Sequence, residues 1–159
     1  MRALPVNAMN IEKTVLKFLT AWERCSLSTT AALLDNHFEL SGWTDQPLDR
    51  ASFVMIQRIY NEAFPNWQFN VTELERQGHD LYLTYRIRAT HTGRFDPSML
   101  GLPLLPVEPT GRTRIWPITY SVVTVRHEKI IRFEIDTGPG GDLNGTLAWL
   151  NQRVPTLTV

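Results

Sequence analysis

The predominant spacing of apolar residues differs between the first 64 residues of this 159-residue chain and residues 67–137, and that difference restricts the fold more than any single motif does. Up to residue 64, apolar side chains mostly recur at three- and four-residue intervals, which predicts helices at 10–24, at 28–35 and after Asp49, whereas the alternation at 37–43 predicts a strand. From residue 67 to 137 they mostly alternate with polar residues, which is typical of half-buried strands. Helices followed by a run of antiparallel strands predict an α+β fold.

The composition describes one globular domain, residues 1–159, without a strongly charged surface. Hydrophobic residues make up 43% of the chain, and sixteen basic residues balance sixteen acidic ones. We therefore expect no nucleic-acid partner and no membrane partner. Cys25 is the single cysteine, so an internal disulfide is excluded. Because the N-terminus also lacks the apolar core of a signal peptide, we expect a cytoplasmic protein.

Two features of the strand region predict a pocket. His91 ends a strand predicted at 81–91, and residues 93–111 then form a loop with four prolines and many apolar residues. A loop of this length and composition is expected to pack over a pocket or a partner subunit. A hairpin of strands 115–126 and 129–137 follows, and a short helix at 146–150 ends the pattern.

Charged residues alternate along the last predicted strand. One face carries Ile130, Arg132, Glu134 and Asp136, and the other carries Ile131, Phe133 and Ile135. The polar face is either exposed, with surface ion pairs worth little, or it lines a pocket. In a pocket, apolar walls would raise the pKa of a carboxyl group and allow proton exchange near neutrality. His91 has two similar interpretations, a hydrogen-bonded core residue or a catalytic imidazole.

Several other kinds of site find no support in the sequence. No two histidines stand four apart on a helix and no cysteine pair exists, so we expect no metal. The chain lacks a Gly-x-Ser-x-Gly nucleophile elbow. Residues 138–141 are rich in glycine, but Pro139 removes an amide donor and no Lys-Ser/Thr pair follows, which argues against a phosphate loop.

Four short motifs, in order, resemble the SnoaL-like polyketide cyclases of the NTF2-like superfamily. Residues 63–67 (Ala-Phe-Pro-Asn-Trp) resemble the family's "AFPD" segment, and residues 90–95 (Thr-His-Thr-Gly-Arg-Phe) are similar to its "THTG-x-F" strand end. Residues 109–112 match "PTGR", and residues 129–131 are similar to "KIV" at the start of the last strand. The order and spacing agree over about residues 10–152.

The resemblance implies a cone-shaped NTF2-like barrel, in which a curved antiparallel sheet wraps round three N-terminal helices and encloses an apolar cavity. Cyclases of the family close a polyketide ring by aldol condensation without a metal or an organic cofactor, and an aspartate late in the last strand is the acid/base. Asp136 best matches that position. The family aspartate typically falls about two residues later, where this chain has Gly138, and a shift of two residues keeps the same strand face, so Glu134 is a second candidate. The family's polar positions also imply that this face points into the cavity.

Two functions are consistent with these features. The first is a cofactor-independent acid/base enzyme that cyclises or isomerises an apolar carbonyl compound, with Asp136 as the base and His91 or Tyr120 stabilising the enolate oxygen. A steroid-isomerase-like or epoxide-hydrolase-like activity shares this logic. The second is a non-catalytic module that binds a small molecule or a protein. The candidate substrate-binding residues are Trp43, Tyr60, Tyr85, Phe95, Trp116, Tyr120 and Arg132.

We also expect a homodimer, because curved open sheets of this kind commonly pair through their outer faces. Val123, Val125 and Phe133 are the apolar residues predicted to lie on that outer face.

Overall fold

The computed structural model describes residues 4–151 of the chain, so residues 1–3 and 152–159 of the predicted domain lie outside the described part. The helices are α1 (Leu4–Glu23), α2 (Leu27–Leu33), α3 (Arg50–Ala63) and α4 (Leu143–Leu150). The strands are β1 (Leu34–Ser41), β2 (Leu48–Asp49), β3 (Val71–Gln77), β4 (Asp80–Tyr85), β5 (Arg88–Thr90), β6 (Thr113–Ile115), β7 (Thr119–Arg126) and β8 (Lys129–Thr137). Within this part of the chain, no helix has the length and apolar character that a bilayer crossing needs.

The three N-terminal helices form where the helical periodicity predicts them, except that α1 begins at Leu4 and not at residue 10. The apolar stripe of α1 is buried, with Phe18 and Trp22 at most 3% exposed. Helix α3 begins after Asp49, whose carboxylate accepts a hydrogen bond from the Ser52 backbone N–H at 2.8 Å. This bond satisfies one of the donors that a helix N-terminus leaves free. The buried faces of both helices pack against the sheet.

The six-stranded sheet has the order β2-β1-β8-β7-β4-β3, and β5 and β6 form a separate two-stranded sheet. Strands β1 and β8 are parallel, whereas the other neighbouring pairs of the sheet are antiparallel. The sheet is therefore mixed, which corrects the expectation of a wholly antiparallel one. The curved sheet and its helices still form the α+β cone that the resemblance implies.

Two strands predicted as continuous are each divided. The segment 81–91 separates into β4 and β5, and the segment 115–126 separates into β6 and β7. Pro117 lies at the second break, where its missing N–H cannot continue the ladder. The alternation of the first segment nevertheless holds, because every second residue from Leu81 to His91 is buried.

Loop 93–111 packs against α3. The Gly93 backbone N–H donates to the Ala63 carbonyl at 3.1 Å, and a Cβ at Gly93 would lie 1.7 Å from the Glu62 carbonyl oxygen. Phe95 is fully buried and lies 5.4 Å from Tyr60, ring centre to ring centre. The loop therefore covers one side of α3.

A β-bulge in β8 decides which of its side chains point inward. Val125 pairs with Ile130 and Thr124 pairs with Arg132, so Ile131 is an extra residue without a partner on β7. Beyond the bulge the alternation changes phase. The inward face of β8 is Ile130, Phe133, Ile135 and Thr137, and its outward face is Arg132, Glu134 and Asp136.

The expectation that Arg132, Glu134 and Asp136 face the cavity is therefore wrong. The expected outer apolar surface is also wrong, because Val123, Val125 and Phe133 are buried in the core. These three residues cannot form a dimer contact without unfolding, and the homodimer itself stays a prediction.

A candidate ligand-binding cavity

A cavity lies between helices α1 and α3 and the concave face of the sheet. The cavity is small and measures about 40 Å³ as the volume open to the centre of a water-sized sphere. Six aromatic side chains from the helices and loops form much of its wall: Phe18, Trp22, Trp43, Phe53, Trp67 and Phe69. The aromatic part of the wall forms because α1 and α3 each direct an aromatic stripe toward the sheet.

The strands and the segment before α4 close the rest of the wall. Leu40, Tyr85, Phe133 and Ile135 contribute from the concave face of the sheet. Ile87 and Gly141 line it from beside the strands, and Thr119 and Thr137 stand at the ends of β7 and β8. Ile135 and Thr137 are only half-buried, so the cavity approaches the surface at this end.

The six polar side chains of the wall divide into two groups. Four are hydrogen-bonded. The Trp43 indole N–H donates to the Gly141 carbonyl at 3.2 Å, and Tyr85 and Ser121 share a hydrogen bond of 2.7 Å. Thr119 donates to the Pro117 carbonyl at 3.0 Å, and Thr137 donates to the Gly138 carbonyl. Only the indole N–H groups of Trp22 and Trp67 have no partner among the described residues.

The wall contains no aspartate, glutamate, histidine, lysine or arginine. Its one titratable side chain is Tyr85, and burial raises the pKa of that phenol well above its ordinary value. Tyr85 is therefore protonated throughout the physiological range. In the described part of the protein, the cavity is electrically neutral and has no carboxylate or imidazole to transfer a proton.

The predicted carboxylates lie on the opposite side of the sheet. Asp136 is exposed and pairs in register with Tyr120, which is 55% exposed. Glu134 lies 3.9 Å from Arg132 in an exposed ion pair. Such a pair contributes little to stability because water screens it. The structure thus brings these four candidates together, but outside the cavity and on the outer surface.

His91 is buried away from the cavity wall. The Thr110 backbone N–H donates to His91 Nδ1 at 3.2 Å, and the Thr110 hydroxyl lies 3.0 Å from the same nitrogen. Burial, with a smaller effect of the Arg112 guanidinium, lowers the pKa of His91, although the Gly93 backbone acts in the opposite direction. The ring is therefore neutral near pH 7. This geometry favours the interpretation of His91 as a hydrogen-bonded core residue.

The predicted aromatic candidates occupy two layers. Trp43 and Tyr85 lie in the cavity wall, whereas Tyr60, Phe95 and Trp116 lie behind it. Tyr60 lies 4.8 Å from Trp43, and burial raises the pKa of its hydroxyl. The second layer holds the wall aromatics in place through packing. A substrate-binding role for any of these residues stays a prediction.

Sequence reasoning missed most of the wall. The predicted helix 10–24 contains Trp22 without marking it as a wall residue, and the resemblance implies an outward position for Phe133 and Ile135 because it turns the other face of β8 toward the cavity. The signal that could have found them is the plain alternation of Phe133 and Ile135 with charged neighbours, since a strand normally turns its apolar side chains toward the core.

Two arginines of β6 and its preceding loop hold α4 beside the cavity. Arg114 is 8% exposed, and it donates to the Gly140 carbonyl at 2.6 Å and to the Thr146 hydroxyl at 3.2 Å. The Arg112 guanidinium lies over the Trp149 ring at 4.2 Å and donates to the Trp149 carbonyl. These contacts fix the chain from Gly140 onward, next to the cavity residue Gly141.

Comparisons with known proteins identify the fold. Neither a protein-family model nor a curated protein sequence matches this chain. Solved structures do match. AclR of Streptomyces galilaeus, a proposed hydroxylase, superposes with a TM-score of 0.68 at 19% identity, over 93% of this chain and 84% of that one.

Two further structures extend the comparison. A proposed SnoaL-like polyketide cyclase of Jannaschia sp. CCS1 has a TM-score of 0.64 at 16% identity, over 88% of this chain and 90% of that one. An epoxide hydrolase of M. tuberculosis has a TM-score of 0.62 at 12% identity, over 93% and 98%. NTF2-like and ketosteroid isomerase-like proteins also match. The predicted resemblance is thus confirmed at the level of fold: this chain has the NTF2-like fold of the SnoaL-like cyclases.

Proposed function

We propose that this protein binds a neutral, apolar, largely aromatic small molecule in the central cavity. The observation that carries the proposal is the wall itself, which combines six aromatic rings from the helices and loops with aliphatic side chains and contains no charged group. Ligand pockets in proteins are lined mainly by such side chains. A charged ligand would lose its hydration there without gaining an ionic partner.

The structural matches support a small molecule as the ligand. The names of the matched proteins include a hydroxylase, polyketide cyclases and an epoxide hydrolase, which are all activities on small molecules. Because the identities are 12–19%, these names support a ligand class and do not assign a reaction to this chain.

Binding is tested by isothermal titration calorimetry with indane, a neutral bicyclic hydrocarbon. We expect a single site, and we expect Ile135→Trp to weaken binding at least tenfold, because the larger ring occupies the half-buried end of the cavity. Glu134→Trp is the matched control, since it adds the same ring to the outer face of the same strand. If indane does not bind, or if both variants bind it equally well, the proposal is wrong.

A second candidate is an acid/base enzyme that acts on a carbonyl compound in the same cavity, as in the aldol-type cyclisation or isomerisation that the resemblance implies. The observation that favours it is the buried, protonated Tyr85 of the wall, because its hydroxyl can accept from the Ser121 hydroxyl and so keep its own proton for a developing enolate oxygen. The base would have to come from solvent or from the substrate, because Asp136 and Glu134 lie outside the cavity.

The second candidate has a direct assay, the exchange of the C2 protons of 1-indanone for deuterium, followed by proton NMR. An enzyme of this kind accelerates the exchange above the buffer rate, Tyr85→Phe abolishes the acceleration, and Asp136→Asn leaves it unchanged. An exchange rate equal to that of buffer would remove enzymatic proton transfer from consideration and leave the binding proposal standing.

A further inference from the structure

The cavity is too small, as it stands, for the ligand proposed above. Its volume of about 40 Å³ is space for a few water molecules at most, and aromatic rings form much of its boundary. A bicyclic molecule such as indane can therefore enter only when part of the wall moves aside. The question is which part of the wall can move without unfolding the protein.

Most of the wall is fixed by backbone hydrogen bonds or by core packing. Its strands belong to the six-stranded sheet, and α1 and α3 bury their aromatic faces against that sheet. The segment that carries Trp67 is also tied to its neighbour, since Gln68 and Arg88 exchange backbone hydrogen bonds of 2.9 and 3.0 Å. Moving any of these parts would break a ladder of hydrogen bonds or expose the core.

Residues 138–142 are different. This segment, Gly-Pro-Gly-Gly-Asp, joins β8 to α4 and belongs to neither element. Pro139 and Gly140 are exposed, whereas Gly141 is buried and lines the cavity. A Cβ at Gly141 would lie 2.0 Å from the Thr137 hydroxyl oxygen, so this backbone closes directly onto the half-buried end of the cavity. The segment therefore lies where a ligand from solvent would pass.

Two hydrogen bonds join one side of this segment to Trp43. The Trp43 indole N–H donates to the Gly141 carbonyl at 3.2 Å, and the Leu143 backbone N–H donates to the Trp43 carbonyl at 3.1 Å. Both groups are buried and would become accessible to water together if the segment moved away from the wall.

Arg114 holds the other side of the segment. Its guanidinium donates to the Gly140 carbonyl at 2.6 Å and to the Thr146 hydroxyl of α4 at 3.2 Å. A Cβ at Gly145 would lie 1.9 Å from the Gly140 carbonyl oxygen, so the first turn of α4 packs directly on the segment. Arg114 is 8% exposed, and hydrogen bonds from a charged donor are stronger than those between neutral groups. We therefore expect Arg114 to contribute most to the closed position.

We propose that residues 138–142 and the first turn of α4, residues 143–146, form a gate over the cavity, and that Arg114 is the latch that holds this gate closed. The purpose of the gate rests on the proposed function, because it gives the ligand its way in, but its opening is a property of the free protein. Arg112 donates to the carbonyls of the last turn of α4, so that end of the helix stays in place while the first turn moves.

Hydrogen exchange in the free wild-type protein tests the gate without any ligand. Opening exposes the Leu143 amide and the Trp43 indole N–H, whereas the Val123 amide of the central strand β7 exchanges only when the sheet opens. We expect the first two groups to share one opening free energy and to be protected at least about 100-fold less than Val123, each relative to an unfolded peptide. If both are protected as strongly as Val123, the gate does not open and the inference is overturned.

The latch is tested by Arg114→Gln, with Arg86→Gln as the matched control. Arg86 also donates to a backbone carbonyl, that of Trp116, at 3.1 Å, but it lies outside the gate. We expect Arg114→Gln to speed exchange of the two gate groups about tenfold relative to Val123, and Arg86→Gln to leave that ratio unchanged within about twofold. An unchanged ratio in Arg114→Gln, or an equal change in both variants, would show that Arg114 is not the latch. The wild-type measurement decides whether the gate exists even if a variant folds poorly.

Stopped-flow tryptophan fluorescence with indane tests whether the gate is the entrance. We expect the binding rate to level off at the opening rate as the indane concentration rises, and Arg114→Gln to raise that limit about tenfold. If indane binds at a rate that Arg114→Gln does not change, the ligand enters elsewhere, and the inference is overturned while the proposed function stands. If indane does not bind, the proposed function fails, and hydrogen exchange alone decides whether the gate exists.

Discussion

The phase of β8 can be tested by truncating two adjacent residues. Phe133 is 3% exposed, and its ring centre lies 5.5 Å from that of Phe18, whereas Glu134 is exposed. Removing a phenylalanine that buries about 150 Å² at about 25 cal/mol per Å² costs roughly 4 kcal/mol before the chain relaxes. Measured Phe→Ala changes in protein cores fall in the range of about 3–5 kcal/mol.

We therefore expect Phe133→Ala to lower the free energy of unfolding by about 4 kcal/mol and the melting temperature by roughly 8–16 °C. Glu134→Ala should change the free energy by less than about 0.5 kcal/mol, because it removes an exposed side chain from a weak ion pair. Urea denaturation followed by circular dichroism measures both. A larger loss for Glu134→Ala than for Phe133→Ala would refute the bulge and the inward face derived from it.

Three further predictions concern stability and use the same denaturation assay. Because burial lowers the pKa of His91, the neutral ring stabilises the folded state fully above the unfolded pKa of about 6.5, and this stabilisation is lost as pH falls below that value, by up to about 1.4 kcal/mol per pH unit. His91→Gln should therefore reduce the dependence of the free energy of unfolding on pH between about pH 7 and 5. An unchanged dependence would contradict the buried, neutral assignment. Gly93→Ala should cost at least about 3 kcal/mol, because its Cβ would lie 1.7 Å from the Glu62 carbonyl oxygen, whereas Gly78→Ala, in open space at φ +65°, should cost only about 1–2 kcal/mol. Asp49→Ala should cost about 1 kcal/mol through the lost helix cap, and no change would show that the cap bond does not form in solution.

The helices and the core faces could be predicted from the sequence because local spacing determines them. The apolar stripe of α3 and its Asp49 cap lie within a few residues of each other, so the pattern contains the whole signal. The alternation from Leu81 to His91 also survives the break between β4 and β5. The parallel pairing of β1 with β8 could not be predicted in the same way, because it joins strands about ninety residues apart.

The candidate site was harder to predict because one extra residue in a strand exchanges its inward and outward faces. The bulge at Ile131 depends on how β7 and β8 pair, and nothing in the local composition marks it. The resemblance then favoured the wrong inward face of β8, because it placed the family's polar positions on a strand whose pattern of apolar and charged residues differs in this chain. The alternation of Phe133 and Ile135 was better evidence, because it reports directly on burial.

The bulge also explains why the cavity is neutral. Without it, the register from Ile130 would turn Arg132, Glu134 and Asp136 toward Phe18 and the other rings of the wall, and each buried charge would cost several kcal/mol in lost hydration. The bulge moves all three charges to the outer surface and fills the inward positions with apolar side chains. The same feature of the backbone therefore stabilises the core and restricts the ligand, since a cavity built to exclude the chain's own charges also excludes a charged guest.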